Sequence, residues 1–97
     1  MTYTLNIAKP ALALFKKLPK PIQHILVQRA QVLITDPHAG APLKGKYRLL
    51  RSLHLTIEGT AYRIIYQVFE RNETIVIRLA ATRENIYRRL DEMKVKP

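Results

Sequence analysis

The feature that most constrains the fold is a run of three strand-like segments in the second half of the chain. The segments span about residues 48–57, 61–69 and 74–81, and the turns between them read EGT and ERNE. Apolar side chains recur at every second position along much of these segments, which is the spacing of a strand with one buried face. Strands joined by such short turns are antiparallel neighbours. We therefore predict an antiparallel meander of three strands.

The first half of the chain adds one strand and two helices. The sequence TYTLNIA alternates apolar and polar residues, which predicts a half-buried strand at about residues 3–7. Pro10 and Pro21 each suit the first turn of a helix, and apolar residues then recur at helical spacing. Because the PKP link between the two helices is short, we predict an antiparallel helix hairpin over residues 10–34.

The end of the chain returns to the core through apolar side chains. On the last strand the inward-facing residues are predicted to be Ile75, Ile77 and Leu79. Residues 83–93 are predicted to form a final helix, with an apolar stripe of Ile86, Leu90 and Met93.

These elements predict an α+β fold with the order β-α-α-β-β-β-α. The sheet is expected to be mostly antiparallel and four-stranded, with the helix hairpin packed on it and a short C-terminal helix. A chain of 97 residues is near the usual size for a single core, so residues 1–97 are expected to form one domain.

The charge balance indicates a polyanionic partner. The chain has 17 lysines and arginines against 7 acids, a formal net charge of +10. Eight of the nine arginines lie in residues 43–97. Because the planar guanidinium suits bidentate contacts with phosphate, this part of the chain is the better candidate for a phosphate-binding surface.

Several classes of protein are disfavoured by what the sequence lacks. There is no cysteine, so disulfides and thiolate metal sites are excluded. The three histidines share no ligand spacing, and no phosphate-binding glycine loop or hydrolase triad occurs. We expect no metal and no cofactor. No signal peptide and no apolar run long enough to span a membrane is found, so a cytoplasmic protein is expected.

A cluster of basic residues and two further arginines are the candidates for chemistry. The segment LKGKYRLLR places four bases within eight residues, namely Lys44, Lys46, Arg48 and Arg51. Arg63 interrupts an otherwise apolar strand, where an arginine is costly unless it is exposed or paired.

Arg83 and Tyr87 lie four residues apart at the start of the last predicted helix, so both side chains are expected on the same side. On the residues alone, this pair either packs the helix against the sheet or binds a phosphate and moves a proton.

Four segments of the sequence resemble the RelE family of bacterial toxins, within the RelE/ParE superfamily of type II toxin–antitoxin systems. They are LKGKYR, AYRIIYQV, TIVIRLAATR and RENIYRRL, at residues 43–48, 61–68, 74–83 and 83–90. The predicted order of elements also agrees along the whole chain. The resemblance implies a ribosome-dependent endoribonuclease that cleaves mRNA in the decoding site by attack of the 2′-hydroxyl, without a metal.

The resemblance also implies a role for each matching residue. Arg63 would contact the scissile phosphate, and Arg83 would stabilise the pentavalent state or protonate the leaving 5′ oxygen. Tyr87 would take the proton from the 2′-hydroxyl or orient it. Lys44, Lys46, Arg48 and Arg51 would contact RNA.

The sequence departs from the family pattern at two places. Relatives usually have lysines on the second strand, and we expect His54 to take that role here. Many relatives carry a histidine just before the arginine of the last strand, where this chain has Thr82. These departures leave open whether the chain is active and which residue is the general acid.

The partners implied by the resemblance are a RelB-like antitoxin, the ribosome and mRNA, with no membrane. The toxin–antitoxin complex is further expected to bind its own operator DNA through the antitoxin. Two alternatives stay open at this point. One is a ParE-like toxin that inhibits DNA gyrase by protein binding without nuclease activity. The other is a basic nucleic-acid-binding module without catalysis.

Overall fold

The structure is a computed structural model and describes residues 2–92. In chain order its elements are β1 (Thr4–Ile7), α1 (Lys9–Phe15), α2 (Lys20–Ala30), α3 (Val32–Thr35), β2 (Ala41–Pro42), the 3₁₀ helix η1 (Gly45–Tyr47), β3 (Arg51–Ile57), β4 (Thr60–Phe69), β5 (Thr74–Thr82), the 3₁₀ helix η2 (Arg83–Asn85) and α4 (Ile86–Glu92). The α+β fold is therefore confirmed.

One sheet with strand order β1-β5-β4-β3-β2 organises the chain. The predicted meander is confirmed, because β3 pairs antiparallel with β4 and β4 pairs antiparallel with β5. Glu58 and Gly59 form the two-residue turn between β3 and β4, and both have positive φ, of 50° and 80°. Two such residues match the twist of the flanking strands, and glycine adopts this conformation without steric cost. β1 pairs parallel with β5 at the edge of the sheet.

Within residues 2–92 the sheet has five strands rather than the four predicted. The extra strand is β2, two residues that pair with Ser52 and Arg51 of β3. β3 also begins at residue 51 instead of 48, because the preceding segment turns back on itself in η1. Leu43 donates its backbone N–H to the carbonyl of Leu50 at 2.9 Å. Leu43, Tyr47 and Leu50 are all buried, so apolar burial explains why this segment folds back instead of extending the strand.

A β-bulge on β5 corrects the prediction that Ile75, Ile77 and Leu79 share one face. Ile65 lies opposite Leu79, whereas its neighbour Tyr66 lies opposite Ile77, so the register skips Arg78. One extra residue shifts the alternation of a strand by one position. Ile75 and Ile77 consequently face the same side as Tyr66, and Leu79 faces the opposite side with Ile65.

Helices cover both faces of the sheet. On one face, Ile22, Leu26 and Ala30 of α2 pack on β3, β4 and β5 through a cluster that includes Ile64. On the other face, α4 and η1 pack on Ile65 and Leu79. The predicted packing of the N-terminal helices on the sheet is confirmed, and α4 occupies the opposite side.

The last α-helix begins later than predicted. Arg83–Asn85 forms a 3₁₀ turn, and the α-helix runs over Ile86–Glu92. Ile86 and Leu90 are buried, as expected, and Met93 lies outside the described residues. Among the described residues, no helix is long and apolar enough to cross a membrane.

Candidate functional site

The register of the sheet brings three of the predicted catalytic residues into one row. They are His54, Arg63 and Arg83. His54 of β3 lies opposite Arg63 of β4, and Arg63 lies opposite Ala81 of β5. Arg83 follows Ala81 by two residues, just after the strand ends at Thr82. The row lies on the sheet face that α4 partly covers, because Arg63 alternates with Ile64 and so shares the face of Ile65.

A shallow depression of about 200 Å³ lies beside this row. It is lined by His54, Leu55, Thr56, Ala61, Tyr62, Arg63 and Arg83. His54 and Arg83 are exposed and Arg63 is half-buried, so solvent reaches all three side chains. The structure thus brings together three of the four residues that the sequence pointed to as catalytic.

The depression is strongly positive. Among residues 2–92, the carboxylates that form ion pairs are those of Glu70, Asp91 and Glu92, and their partners are not Arg63 or Arg83. Two guanidiniums without a neutralising carboxylate create a potential that attracts anions such as phosphate.

The same charges act on His54. Partial burial lowers the pKa of the His54 imidazole below its ordinary value of 6.5, and the positive charges of Arg63 and Arg83 lower it further. All three causes disfavour the protonated ring. The imidazole is therefore mostly neutral at pH 7, which is the form that can accept a proton.

Tyr87 lies in the first turn of α4 and is not among the residues that line the depression. Its side chain is 50% exposed, whereas its neighbour Ile86 is 1% exposed. Arg83 and Tyr87 do not share one helix, contrary to the prediction, because Arg83 belongs to η2 and Tyr87 to α4.

Among the basic residues predicted to bind RNA, Arg51 differs from the other three in its position and contacts. Lys44, Lys46 and Arg48 are exposed in and around η1. Arg51 belongs to the opposite face of β3 from His54 and donates Nε to the carbonyl of Gly40 at 2.8 Å. Its guanidinium therefore fixes a loop of the protein.

The sequence reasoning missed a contact between η1 and α4. The hydroxyl of Tyr47 donates to Oδ1 of Asp91, and Nζ of Lys46 lies 3.1 Å from the same oxygen. Tyr47 and Asp91 are 44 residues apart in the chain, so no local pattern predicted the pair.

The geometry combines a neutral proton acceptor with two cations in a solvent-accessible depression. An imidazole can accept a proton from a hydroxyl, and guanidiniums can hydrogen-bond and stabilise a phosphoryl group whose negative charge increases.

Comparison with solved structures identifies the fold. A chain of the RelBE2 toxin–antitoxin complex from Mycobacterium tuberculosis matches with a TM-score of 0.71 at 27% identity, covering 86% of this chain and 100% of that one. A RelE variant from Escherichia coli in the free state, with two arginines replaced by alanine, matches with a TM-score of 0.75 at 20% identity, covering 98% and 100%. A chain of the archaeal RelE–RelB complex from Pyrococcus horikoshii matches with a TM-score of 0.58 at 22% identity, covering 86% and 97%.

Comparison at the level of sequence identifies the family. No curated protein sequence matches the chain at a significant level. The sequence model described as "ParE-like toxin of type II bacterial toxin-antitoxin system" matches residues 5–91, which include every strand from Leu5 onward and the row of His54, Arg63 and Arg83. The chain therefore belongs to the ParE-like toxins of type II bacterial toxin–antitoxin systems and has the RelE fold.

Proposed function

We propose that this toxin stops translation by cleaving mRNA on the ribosome, using its own side chains and no metal. The observation that carries the proposal is the meeting of His54, Arg63 and Arg83 at one solvent-accessible depression. A toxin that acted only by binding a protein would not need a neutral imidazole beside two guanidiniums that form no ion pair among residues 2–92. The resemblance of the sequence to RelE endoribonucleases supports the same reading.

The reaction follows from the properties of these groups. The 2′-hydroxyl of a nucleotide attacks the adjacent phosphorus, and His54 or Tyr87 accepts its proton. Arg63 contacts the phosphoryl oxygens, whose negative charge increases in the pentavalent state. The bond to the 5′ oxygen then breaks, and that oxygen takes a proton from solvent water, while the protonated base returns its proton to solvent. The products are a 2′,3′-cyclic phosphate and a free 5′-hydroxyl.

His54 suits the role of base better than Tyr87 at neutral pH. A tyrosine has an ordinary pKa of about 10 and is a poor base unless nearby cations lower it. His54 is already neutral at pH 7 and lies opposite Arg63. In this proposal Tyr87 donates or accepts a hydrogen bond that orients the 2′-hydroxyl, and Arg83 stabilises the leaving oxygen.

The ribosome supplies what this small site lacks. The depression is shallow and holds few groups that could select or bend an RNA chain. A decoding site that presents the mRNA in a fixed geometry would supply orientation, which is a large part of catalysis. A ribosomal substrate also implies a cytoplasmic location.

The antitoxin is proposed to be an acidic protein that covers this face. The matching structures from Mycobacterium tuberculosis and Pyrococcus horikoshii are RelB–RelE complexes. A formal net charge of +10 favours an acidic segment that folds on the toxin as it binds. Such a segment would keep RNA from the depression by covering it, by displacing α4, or by both.

The test is cleavage of mRNA by the purified toxin in a reconstituted translation reaction. We expect cuts within the codon held in the decoding site, with a cyclic phosphate on the upstream fragment. Naked mRNA should remain intact. Intact mRNA on translating ribosomes at toxin concentrations that stop growth would contradict the proposal.

The second candidate is inhibition of DNA gyrase by protein binding. The description of the family model as ParE-like favours it, as do Thr82 and the absence of lysines on β3. A supercoiling assay with purified gyrase separates the two candidates. Inhibition of supercoiling together with intact mRNA would establish the second one.

A further inference from the structure

The contact between η1 and α4 joins three side chains. The ring of Tyr47 is 5% exposed and packs in the apolar cluster that also holds Ile86 and Leu90. Its hydroxyl donates to Oδ1 of Asp91, which Nζ of Lys46 approaches to 3.1 Å. The same ammonium lies 5.2 Å from the centre of the Tyr47 ring. We call Tyr47, Lys46 and Asp91 the η1–α4 latch.

α4 needs such a contact because it is short. A helix of seven residues is not stable in isolation, so tertiary contacts must hold it. The hydroxyl of Tyr47 and the ammonium of Lys46 hold the Asp91 carboxylate, and together they lower its pKa below the ordinary value.

The position of the latch on the helix determines what it controls. Ile86 and Leu90 are four residues apart and anchor α4 along a single line, which leaves rotation about that line unrestrained. Asp91 lies about 100° around the helix from Leu90, and Tyr87 lies about 100° around it from Ile86. Asp91 and Tyr87 are themselves four residues apart, so the latch holds the side of α4 that carries Tyr87.

We propose that the η1–α4 latch positions Tyr87 for the cleavage reaction. Tyr47 and Asp91 are thus positioning residues that act through Tyr87, and Lys46 supports them instead of contacting RNA. This inference rests on the proposed function. It adds a second role for the LKGKYR segment, which anchors the last helix as well as contributing basic charge.

Two variants remove the latch with little change in shape. Tyr47→Phe keeps the buried ring and removes the hydroxyl. Asp91→Asn keeps the side-chain size and removes the charge at an exposed position, so it tests the latch even where Tyr47→Phe proves unstable. The matched control is Glu92→Gln, which removes a neighbouring carboxylate that pairs with Arg88 and Arg89 within α4 and not with η1.

The experiment measures kcat and KM for mRNA cleavage on translating ribosomes, with circular dichroism to confirm folding. We expect kcat to fall about 10–100-fold in Tyr47→Phe and Asp91→Asn, as for a misplaced reacting group, with KM unchanged. Glu92→Gln should match the wild type. In a Tyr87→Phe background, adding Tyr47→Phe should cause no further loss, because the latch then has nothing to position.

Three results would overturn the inference. Wild-type kcat in both folded latch variants would remove the positioning role and leave the proposed function intact. A further loss when Tyr47→Phe is added to Tyr87→Phe would show that the latch does not act through Tyr87. Absence of cleavage by the wild-type toxin would remove the proposed function, and the role of the latch with it.

Discussion

His54 is the residue whose chemistry depends most on its neighbours. Partial burial and the charges of Arg63 and Arg83 all lower the pKa of its imidazole. Because the folded-state pKa is below the unfolded-state value, the folded protein binds fewer protons near pH 6. His54 therefore costs no stability at neutral pH, and it destabilises the folded state as the pH falls through the unfolded-state value of about 6.5.

The first prediction tests this electrostatic coupling directly. In a proton NMR titration, the His54 ring should titrate below pH 6.5 in the wild-type protein. Arg83→Gln removes one of the positive charges, so the His54 midpoint should rise, although burial and Arg63 should still keep it below 6.5. His54→Gln assigns the resonance. An unchanged midpoint in Arg83→Gln would mean that Arg83 does not lie beside His54 in solution.

The second prediction concerns the hydroxyl of Tyr87. Because the side chain is 50% exposed and Ile86 and Leu90 provide the apolar contacts, Tyr87→Phe should leave the melting temperature nearly unchanged. If the hydroxyl orients the nucleophile or accepts its proton, the cleavage rate should fall about 10²–10⁴-fold. Wild-type cleavage by Tyr87→Phe would exclude a catalytic role for the hydroxyl, and His54→Gln would then be the variant to test for the base.

At the scale of single elements, the alternation of side chains predicted β3, β4, β5 and their connections. The alternation alone did not predict that His54 and Arg63 share a face, because this depends on the register that the two-residue turn sets between β3 and β4. The alternation of side chains could not reveal the bulge at Arg78, because the residues on both sides of the inserted residue are apolar. That Ile77 and Leu79 face opposite sides of the sheet is visible only when the pairing with the partner strand is known.

Segments whose conformation depends on distant contacts were also not predicted. η1 forms where Tyr47 and Leu50 turn into the core, and its sequence GKY has no helical pattern of its own. The edge strand β2 exists only because two residues pair with β3. Arg51 illustrates the same limit, because its partners are carbonyls of a loop whose path the sequence does not specify.

The third prediction belongs to α4. Leu90 is 0% exposed and packs with Ile65 and Leu79 across the sheet face. Leu90→Ala should lower the free energy of unfolding in urea by about 2–5 kcal/mol, from lost burial and the cavity left behind. Arg88→Ala, on the exposed side of the same helix, should change it by less than about 0.5 kcal/mol. Equal stability of the two variants would mean that α4 is not docked on the sheet in solution.

At the scale of the whole molecule, the fold separates packing from chemistry. The N-terminal helices cover one face of the sheet and stabilise it through the cluster around Ile64. The other face is shared between α4, which covers Ile65 and Leu79, and the depression, which stays accessible. His54 and Arg63 therefore lie on strands whose opposite face is buried, which holds the backbone that carries them in place.

The net charge acts at this same scale. A formal charge of +10 on 97 residues should accelerate association with a polyanionic partner, such as the proposed ribosomal RNA or acidic antitoxin, and added salt should slow it. Removing any one exposed arginine changes this long-range attraction only slightly. A large loss of activity from a single arginine therefore has to come from a local contact.

The fourth prediction uses that difference to test the central claim, that the row of His54, Arg63 and Arg83 is the catalytic centre. The measurement is the single-turnover rate of mRNA cleavage on programmed ribosomes at saturating toxin. Arg63→Gln and Arg83→Gln should each lower the rate by about 10²–10³-fold, the usual effect of removing a group that stabilises transition-state charge. Arg71→Gln removes the same charge from the exposed turn between β4 and β5, and it should cleave within about twofold of the wild type. Equal rates for all three variants would contradict the account, because charge alone, and not the geometry of this row, would then explain the activity.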